Sequence, residues 1–536
     1  MKKQLVIYPF LLAIYPVIAL YSRLPGGLQP NTLVRPILVQ LLLTAIALGL
    51  FYLAFKDFQR ASLLAGLTIF YFSSTGYAYR SVQSSLWQDA PPSTHLGFVA
   101  LGVIIVIVVA QPIVWQKYLT KTRLVTITYY LNIVSVLVLL YPLYQIGITL
   151  YRAADDAKTP WKQLVNQGEA FQPLTKSNER PDIYYIILDG YSRADVLQQV
   201  YGYDNKAFIN SLQERNFYIA EQSHDNYIWT MLSLSSSLNM SYLDFATEKA
   251  GAQSGNILPL HDLIQQNQVR SLLEAAGYSI VSVSTDYPFT DWQDSDVYLY
   301  PYKGNPSELE RFYLSLTALG AFFDPELPIT KPLRTFLPLP SYGTRRDRTL
   351  FSFDKLEEIP EVGSPKFVFV HIIAPHPPFV VDRNGTPLKS NIPYLPADWQ
   401  GSYESAEKYQ ELYIEQLQFV NQKILANLDT ILKDSHPKVV ILQGDHGGGS
   451  LLMPTIEGSC LFERTSILNA YYFSDGKTNG LYPGITPVNS FRVVFNNYFD
   501  TQYPILPDRT YFSDIATPYN LTDITDQIGT SCQKLE

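Results

Sequence analysis

Apolar residues dominate the first third of the chain in five stretches, roughly Leu5–Tyr21, Ile37–Phe55, Leu63–Tyr79, Leu96–Trp115 and Val125–Leu150. A membrane-crossing helix needs about 20 mostly apolar residues, a length that the second, fourth and fifth stretches reach easily. The third is broken by Ser73, Ser74, Thr75 and Gly76. The first begins like a secretory signal, with Lys2 and Lys3 ahead of an apolar core. No small-x-small cleavage site precedes Arg23 and four further stretches follow, so a retained helix is expected. The pattern predicts a transmembrane domain of five helices over residues 1–150. A polar, mixed linker follows over 151–180.

From Pro181 the pattern changes to short apolar runs separated by longer helical ones. Asp182–Leu188, Tyr278–Ser284, Lys366–Ile373 and Lys438–Leu442 are compact and rich in β-branched and aromatic residues. Such runs suit interior strands of a mostly parallel sheet, buried on both faces. Between the last two, Leu412, Ile414, Leu417, Val420, Ile424, Leu428 and Ile431 recur at three- and four-residue spacing. That periodicity predicts a long helix from about Tyr403 to Lys433. Strands alternating with helices predict an α/β domain over 181–536, with ligands at the carboxyl ends of the strands.

Charge orients the first domain. Lys2, Lys3, Lys56, Arg60, Lys117, Lys121 and Arg123 fall in loops on one side; Arg23, Arg35 and Arg80 fall on the other. The positive side faces the cytoplasm, so the N-terminus is cytoplasmic and five crossings put residues beyond 150 outside the cell's inner (plasma) membrane. The net charge of −8, with no long basic run, argues against nucleic-acid binding. Cys460 and Cys532 are the only cysteines; an extracytoplasmic disulfide and two free thiols are both compatible with them. With no CxxC, a thiolate zinc site is not expected.

Three strands end in hard metal ligands: Asp189 after the first, His371 and His376 at the end of the third, Asp445 and His446 after the fourth. Oxygen and imidazole donors suit Mn²⁺, Mg²⁺ or Zn²⁺. The missing part is a nucleophile. In DNYIWTMLSLSSSLN, Thr230 stands just before a helical run, where backbone N–H groups can face a phosphate. A threonine hydroxyl needs activation, which metal coordination supplies. The competing role for Thr230 is a simple N-cap. Asn226, Trp229, Arg464 and Arg492 can line such a pocket or serve packing and surface pairing instead, and His224 reads as a loop residue.

Together, DHG at Asp445–Gly447, PHPPF at Pro375–Phe379 and the T-x-x-S…L-N block at Thr230–Asn239 resemble the alkaline phosphatase/sulfatase superfamily. The likeness is to its membrane-anchored branch, the lipoteichoic acid synthase-like phosphoglycerol transferases and lipid A phosphoethanolamine transferases. It covers about Pro181 to the C-terminus and implies a sulfatase-like three-layer α/β domain. It implies one divalent metal held by Asp189, Thr230, Asp445 and His446, with Thr230 as catalytic nucleophile. His376, assisted by His371, Asn226 and Arg464, would bind substrate. Two departures shape the expectation. A threonine cannot become the formylglycine of sulfatases, which favours a phospho-threonine intermediate. No histidine follows His446, which favours one metal over the two of alkaline phosphatases. The expected activity is transfer of a phospholipid-derived head group, of phosphoglycerol or phosphoethanolamine type, to a glycan or lipid acceptor. The alternatives are a membrane-anchored phosphate or sulfate ester hydrolase and a non-catalytic relative.

Overall fold

The computed structural model describes residues 5–23, 30–85, 94–156, 161, 171–174, 180–285, 287–302, 308–323, 330–388, 403, 405–433 and 435–532. Lys2, Lys3 and most of the linker expected at 151–180 lie outside the described residues. The chain forms two compact units. One comprises Met1–Lys158, Tyr302–Thr344 and Ser390–Leu395; the other comprises the rest. The region expected to form one contiguous α/β domain thus contributes an insertion to the helical unit.

Each of the five apolar stretches is helical: α1 (Tyr8–Tyr21), α2 (Val34–Phe55), α3 (Phe58–Ser85), α4 (Thr94–Ala110) and α5 (Lys121–Asp156). Among the described residues, Asn31–Phe55 and Lys121–Tyr151 are long and apolar enough to cross a membrane; α1 and α4 are apolar but shorter. The helices carry exposed leucine, isoleucine and valine on outward faces, such as Leu38, Leu42 and Ile104. Several polar side chains, Gln40, Thr44, Ser73 and Ser135 among them, are buried instead. Asn132 on α5 accepts from the amides of Ile7 and Tyr8 at 3.1 and 3.0 Å and donates to Leu5 O at 2.8 Å, closing the first turn of α1.

The second unit is built on a seven-stranded sheet in the order β2-β7-β6-β1-β5-β3-β4. Here β1 is Asp182–Leu188, β2 Tyr218–Ile219, β3 Ser279–Val283, β4 Val297–Leu299, β5 Lys366–Ile372, β6 Lys438–Gln443 and β7 Asn469–Phe473. All residues of β1, β5 and β6 are buried, as a continuous apolar run requires when both faces are covered. The pairings β1–β5, β1–β6, β3–β5 and β3–β4 are parallel, whereas β7 runs antiparallel to β6 and to β2. The sheet is therefore mixed, with an antiparallel edge that the four sequence-legible strands did not disclose. The long helix spans Ala406–Ile431, capped by Ser405 Oγ accepting from the Lys408 amide. Central strands β1, β5 and β6 run side by side, so their carboxyl ends emerge together.

Candidate active site

Asp189 leaves β1 where Gly190 takes φ +71°, a left-handed value that glycine adopts freely. The turn aims the Gly190 amide at Asp445 Oδ1, 3.0 Å away. It also sets the Asp189 carbonyl to accept from the His376 amide at 3.0 Å. Asp189 Oδ2 then lies 3.3 Å from His371 Nε2, and Oδ1 lies 3.4 Å from His446 Nε2. His446 Nε2 is 3.6 Å from Asp445 Oδ2 and 3.2 Å from Thr230 Oγ1. Four chain segments, spread over more than two hundred residues, so converge on one point.

Thr230 is the first residue of helix α6 (Thr230–Ser237), and the capping position belongs to Trp229, not to Thr230. Its hydroxyl faces His446 instead of closing the helix. One turn on, Ser233 Oγ donates to Asp445 O at 2.7 Å and fastens α6 to the end of β6. On the other side Trp229 Nε1 donates to Ser513 O at 2.8 Å.

The three histidines are wired alike. His446 Nδ1 lies 2.8 Å from Gly447 O, His376 Nδ1 faces Pro377 O, and His371 Nδ1 lies 2.8 Å from Thr290 Oγ1. A carbonyl only accepts, so Nδ1 of His446 and His376 carries the proton and Nε2 presents a lone pair. Thr290 Oγ1 has Tyr287 O within 3.2 Å to donate to, which leaves it to accept from His371. Burial drives the pKa of His446 down to about 3, with the charge of Arg464 adding to it, and burial also lowers His376. Burial, then the neighbouring Asp189, raises Asp445 to about 6. For Asp189 burial acts upward, but His376, His371 and His446 together hold the carboxyl low.

Asp189 Oδ1, Asp445 Oδ2 and His371 Nε2 are buried with no hydrogen-bond donor. Unmet acceptors at such depth cost free energy, and packing several against one another adds repulsion. A divalent cation resolves both. The candidate ligand atoms of Asp189, His376 and His446, and those of Asp189, His371 and Asp445, form two groups each within 4.8 Å. The donor set therefore fits a hard or borderline metal.

Of the other sequence candidates, Asn226, Arg492 and His224 are bound elsewhere, and Arg464 braces the convergence from behind. Asn226 donates to Arg509 O and Tyr242 Oη and accepts from the Val488 amide, a structural clamp. Arg464 is buried, donates to Ile228 O and Gly447 O, and lies 5.0 Å over the Trp229 ring. It braces the segments ahead of Thr230 and after His446. Arg492 holds Met240 O and Pro504 O. His224 lies against Thr465 and Ser466. Two features were not singled out from the sequence. Thr290 carries no local signal. The glycines of QGDHGGG do: a Cβ on Gly444, Gly447 or Gly448 would fall 2.6, 2.1 and 2.0 Å from Tyr191 O, Glu463 O and Tyr201 Oη. Cys460 and Cys532 are disulfide-bonded, with Cα atoms 5.1 Å apart.

No family model and no curated protein matches the chain. Among solved structures it is similar to the C-terminal periplasmic domain of EcEptC from Escherichia coli in complex with Zn, at 12% identity and a TM-score of 0.43, over 67% of this chain and 98% of that one. It is similar to the integral membrane lipooligosaccharide phosphoethanolamine transferase A of Neisseria meningitidis, at 14% identity and a TM-score of 0.38, over 92% of this chain and 94% of that one. A third likeness is to BT1596, a 2-O GAG sulfatase, at 12% identity and a TM-score of 0.37, over 61% and 72%.

Proposed function

We propose that this chain is a membrane-bound, metal-dependent phosphotransferase that moves a phospholipid-derived head group through a phospho-threonine intermediate. The observation that carries the reading is the Thr230 hydroxyl, 3.2 Å from His446 Nε2, beside buried carboxylate and imidazole atoms that lack donors. In this reading Asp189, Thr230, Asp445 and His446 hold the cation. When bound, it lowers the pKa of the hydroxyl and neutralises charge on the transferring group.

Thr230 Oγ forms the bond to phosphorus as the bond from phosphorus to the leaving diacylglycerol oxygen breaks. The hydroxyl proton passes to solvent, and the leaving oxygen takes one from solvent. An acceptor hydroxyl then attacks phosphorus and gives its proton to His376 Nε2, while the bond from phosphorus to Thr230 Oγ breaks and that oxygen regains a proton from solvent. His376 is half-buried whereas His371 and His446 are buried, so His376 is the imidazole that an arriving phosphate meets. Burial keeps it neutral, and its Nε2 lone pair can take a proton from an incoming hydroxyl. Gly190 and Ser233 keep Asp445 and α6 in register for both displacements.

The donor follows from location. A chain held in a membrane meets phospholipid as its commonest phosphodiester, with a phosphoglycerol or phosphoethanolamine head group to transfer and a glycan or lipid to receive it. The reading has five crossings, a cytoplasmic N-terminus and residues beyond 150 outside the cytoplasm, a compartment in which the Cys460–Cys532 bond persists.

The test is intact-mass and labelling analysis of the full-length protein with phospholipid labelled at phosphorus. A label on Thr230, chased off by a glycan acceptor, is expected. Thr230→Ala should lose the label and at least about 10³-fold in turnover. Unimpaired turnover by Thr230→Ala refutes the nucleophile. Release to water at the same rate with and without acceptor turns the reading to a hydrolase.

A further inference from the structure

Residues 302–344 follow β4 in sequence yet belong to the compact unit of the N-terminal helices. The Glu308–Ser315 helix and the residue after it bury Leu309, Tyr313 and Leu316 with Val17 and Leu20 of α1; Leu33, Ile37 and Tyr77 pack around them. Glu310 pairs with Arg35 at the start of α2. The end of α1, the start of α2 and the later half of α3 therefore meet the insertion at one end of the bundle.

The contact with α3 is through backbone. Gly76 N donates to Leu316 O and Ala318 N donates to Phe72 O, each at 2.9 Å. Helix α3 runs unbroken through this point, where the amide at 76 and the carbonyl at 72 face each other along the helix, and the insertion bonds to both. A Cβ on Gly76 would fall 2.7 Å from the Leu316 backbone, so the approach requires glycine. The polar break Ser73–Gly76, which weakens the third apolar stretch, is thus a docking site. At 1.5 Å per residue it lies about 27 Å along α3 from Phe58, within a hydrocarbon core about 30 Å thick. Irregular backbone at that depth survives only where protein satisfies it, as α3 does for Leu316–Ala318.

We propose that residues 309–323 are a re-entrant element that enters the outer leaflet and docks on α3, with lipid acyl chains covering its apolar outer side. Gly320–Phe323 packs against α4, yet Phe322 is 41% exposed, and Leu333 and Phe336 beyond it are 48% and 61% exposed. Their occupant is lipid because the same unit presents Leu38 and Leu42 of α2, the helix whose start holds Glu310, to its surroundings. The inference rests on the reading that the helices cross a membrane.

The disulfide leaves no free thiol, so single-cysteine variants of the full chain can be labelled cleanly. Phe322→Cys and Leu42→Cys would carry an environment-sensitive fluorophore in phosphatidylcholine–phosphatidylglycerol vesicles with brominated acyl chains. Both probes should lose a comparable fraction of their emission. Gly76→Val, combined with each, should abolish quenching at position 322 and preserve it at 42. Quenching at 42 alone in the otherwise native chain overturns the re-entrant element while leaving the crossings intact. Quenching at neither position overturns the crossings and the inference with them. Undiminished quenching at 322 in Gly76→Val overturns docking on α3.

Discussion

Thr290→Val tests how the site is held together. The substitution keeps shape and volume but removes the oxygen that faces His371 Nδ1 at 2.8 Å. His371 is 1% exposed, so no water replaces the lost acceptor, and an unmet buried N–H costs about 1–3 kcal/mol. The imidazole avoids that cost by moving its proton to Nε2, where Asp189 Oδ2 waits at 3.3 Å. The move puts a donor against Asp189, a carboxylate that the proposed reading assigns to the cation. A changed hydrogen bond behind a metal ligand weakens metal affinity by about 10–100-fold. Chelator competition for Mn²⁺ or Zn²⁺ on the purified full-length protein reads this directly, without activity. Thr290→Ser, which restores the hydroxyl, should return affinity to near the native value. A Thr290→Val protein with native affinity for both ions refutes the coupling of Thr290 through His371 to Asp189.

Gly447→Ala should destabilise the protein by about 1–3 kcal/mol and lower metal affinity, because its Cβ would sit 2.1 Å from Glu463 O; an unchanged melting curve would refute the tight approach. His224 is held down at about 4 by burial and by the charge of Arg193, against an ordinary value of 6.5. Its unfolded form therefore binds protons first, so stability is whole above pH 6.5 and falls as pH drops toward 4, by on the order of 3 kcal/mol. His224→Gln should flatten that limb of a stability–pH profile, and a profile as steep as the native one would contradict it. Cys460→Ser opens a bond between residues 72 apart; chain entropy alone puts the loss at about 4 kcal/mol, read by denaturant midpoint with and without reductant, and equal midpoints would refute it.

The fold was legible where periodicity is strong. The apolar runs became α1–α5, and Asp182–Leu188 became β1 residue for residue. The edge was less legible: β7 contains Asn469, two tyrosines and no β-branched residue, and β2 has two residues, too short to carry a pattern. The interruption at Ser73–Gly76 read as weakness in the third stretch because its partner, Leu316–Ala318, is some 240 residues away.

Local chemistry alone determined the residue types at the strand ends: a carboxylate after β1, an Asp-His pair after β6, histidines around β5, and a hydroxyl at the head of α6. Tertiary structure decided which of them share a point in space. It removed the capping role that competed for Thr230, because Trp229 took the capping position, assigned Asn226 to a clamp, and supplied Thr290 behind His371. The reason is physical. Hydrogen bonding and helix periodicity act over a few residues and can be read along the chain. Which lone pairs face one another depends on three parallel strands ending side by side, and that register is set by packing across the whole sheet.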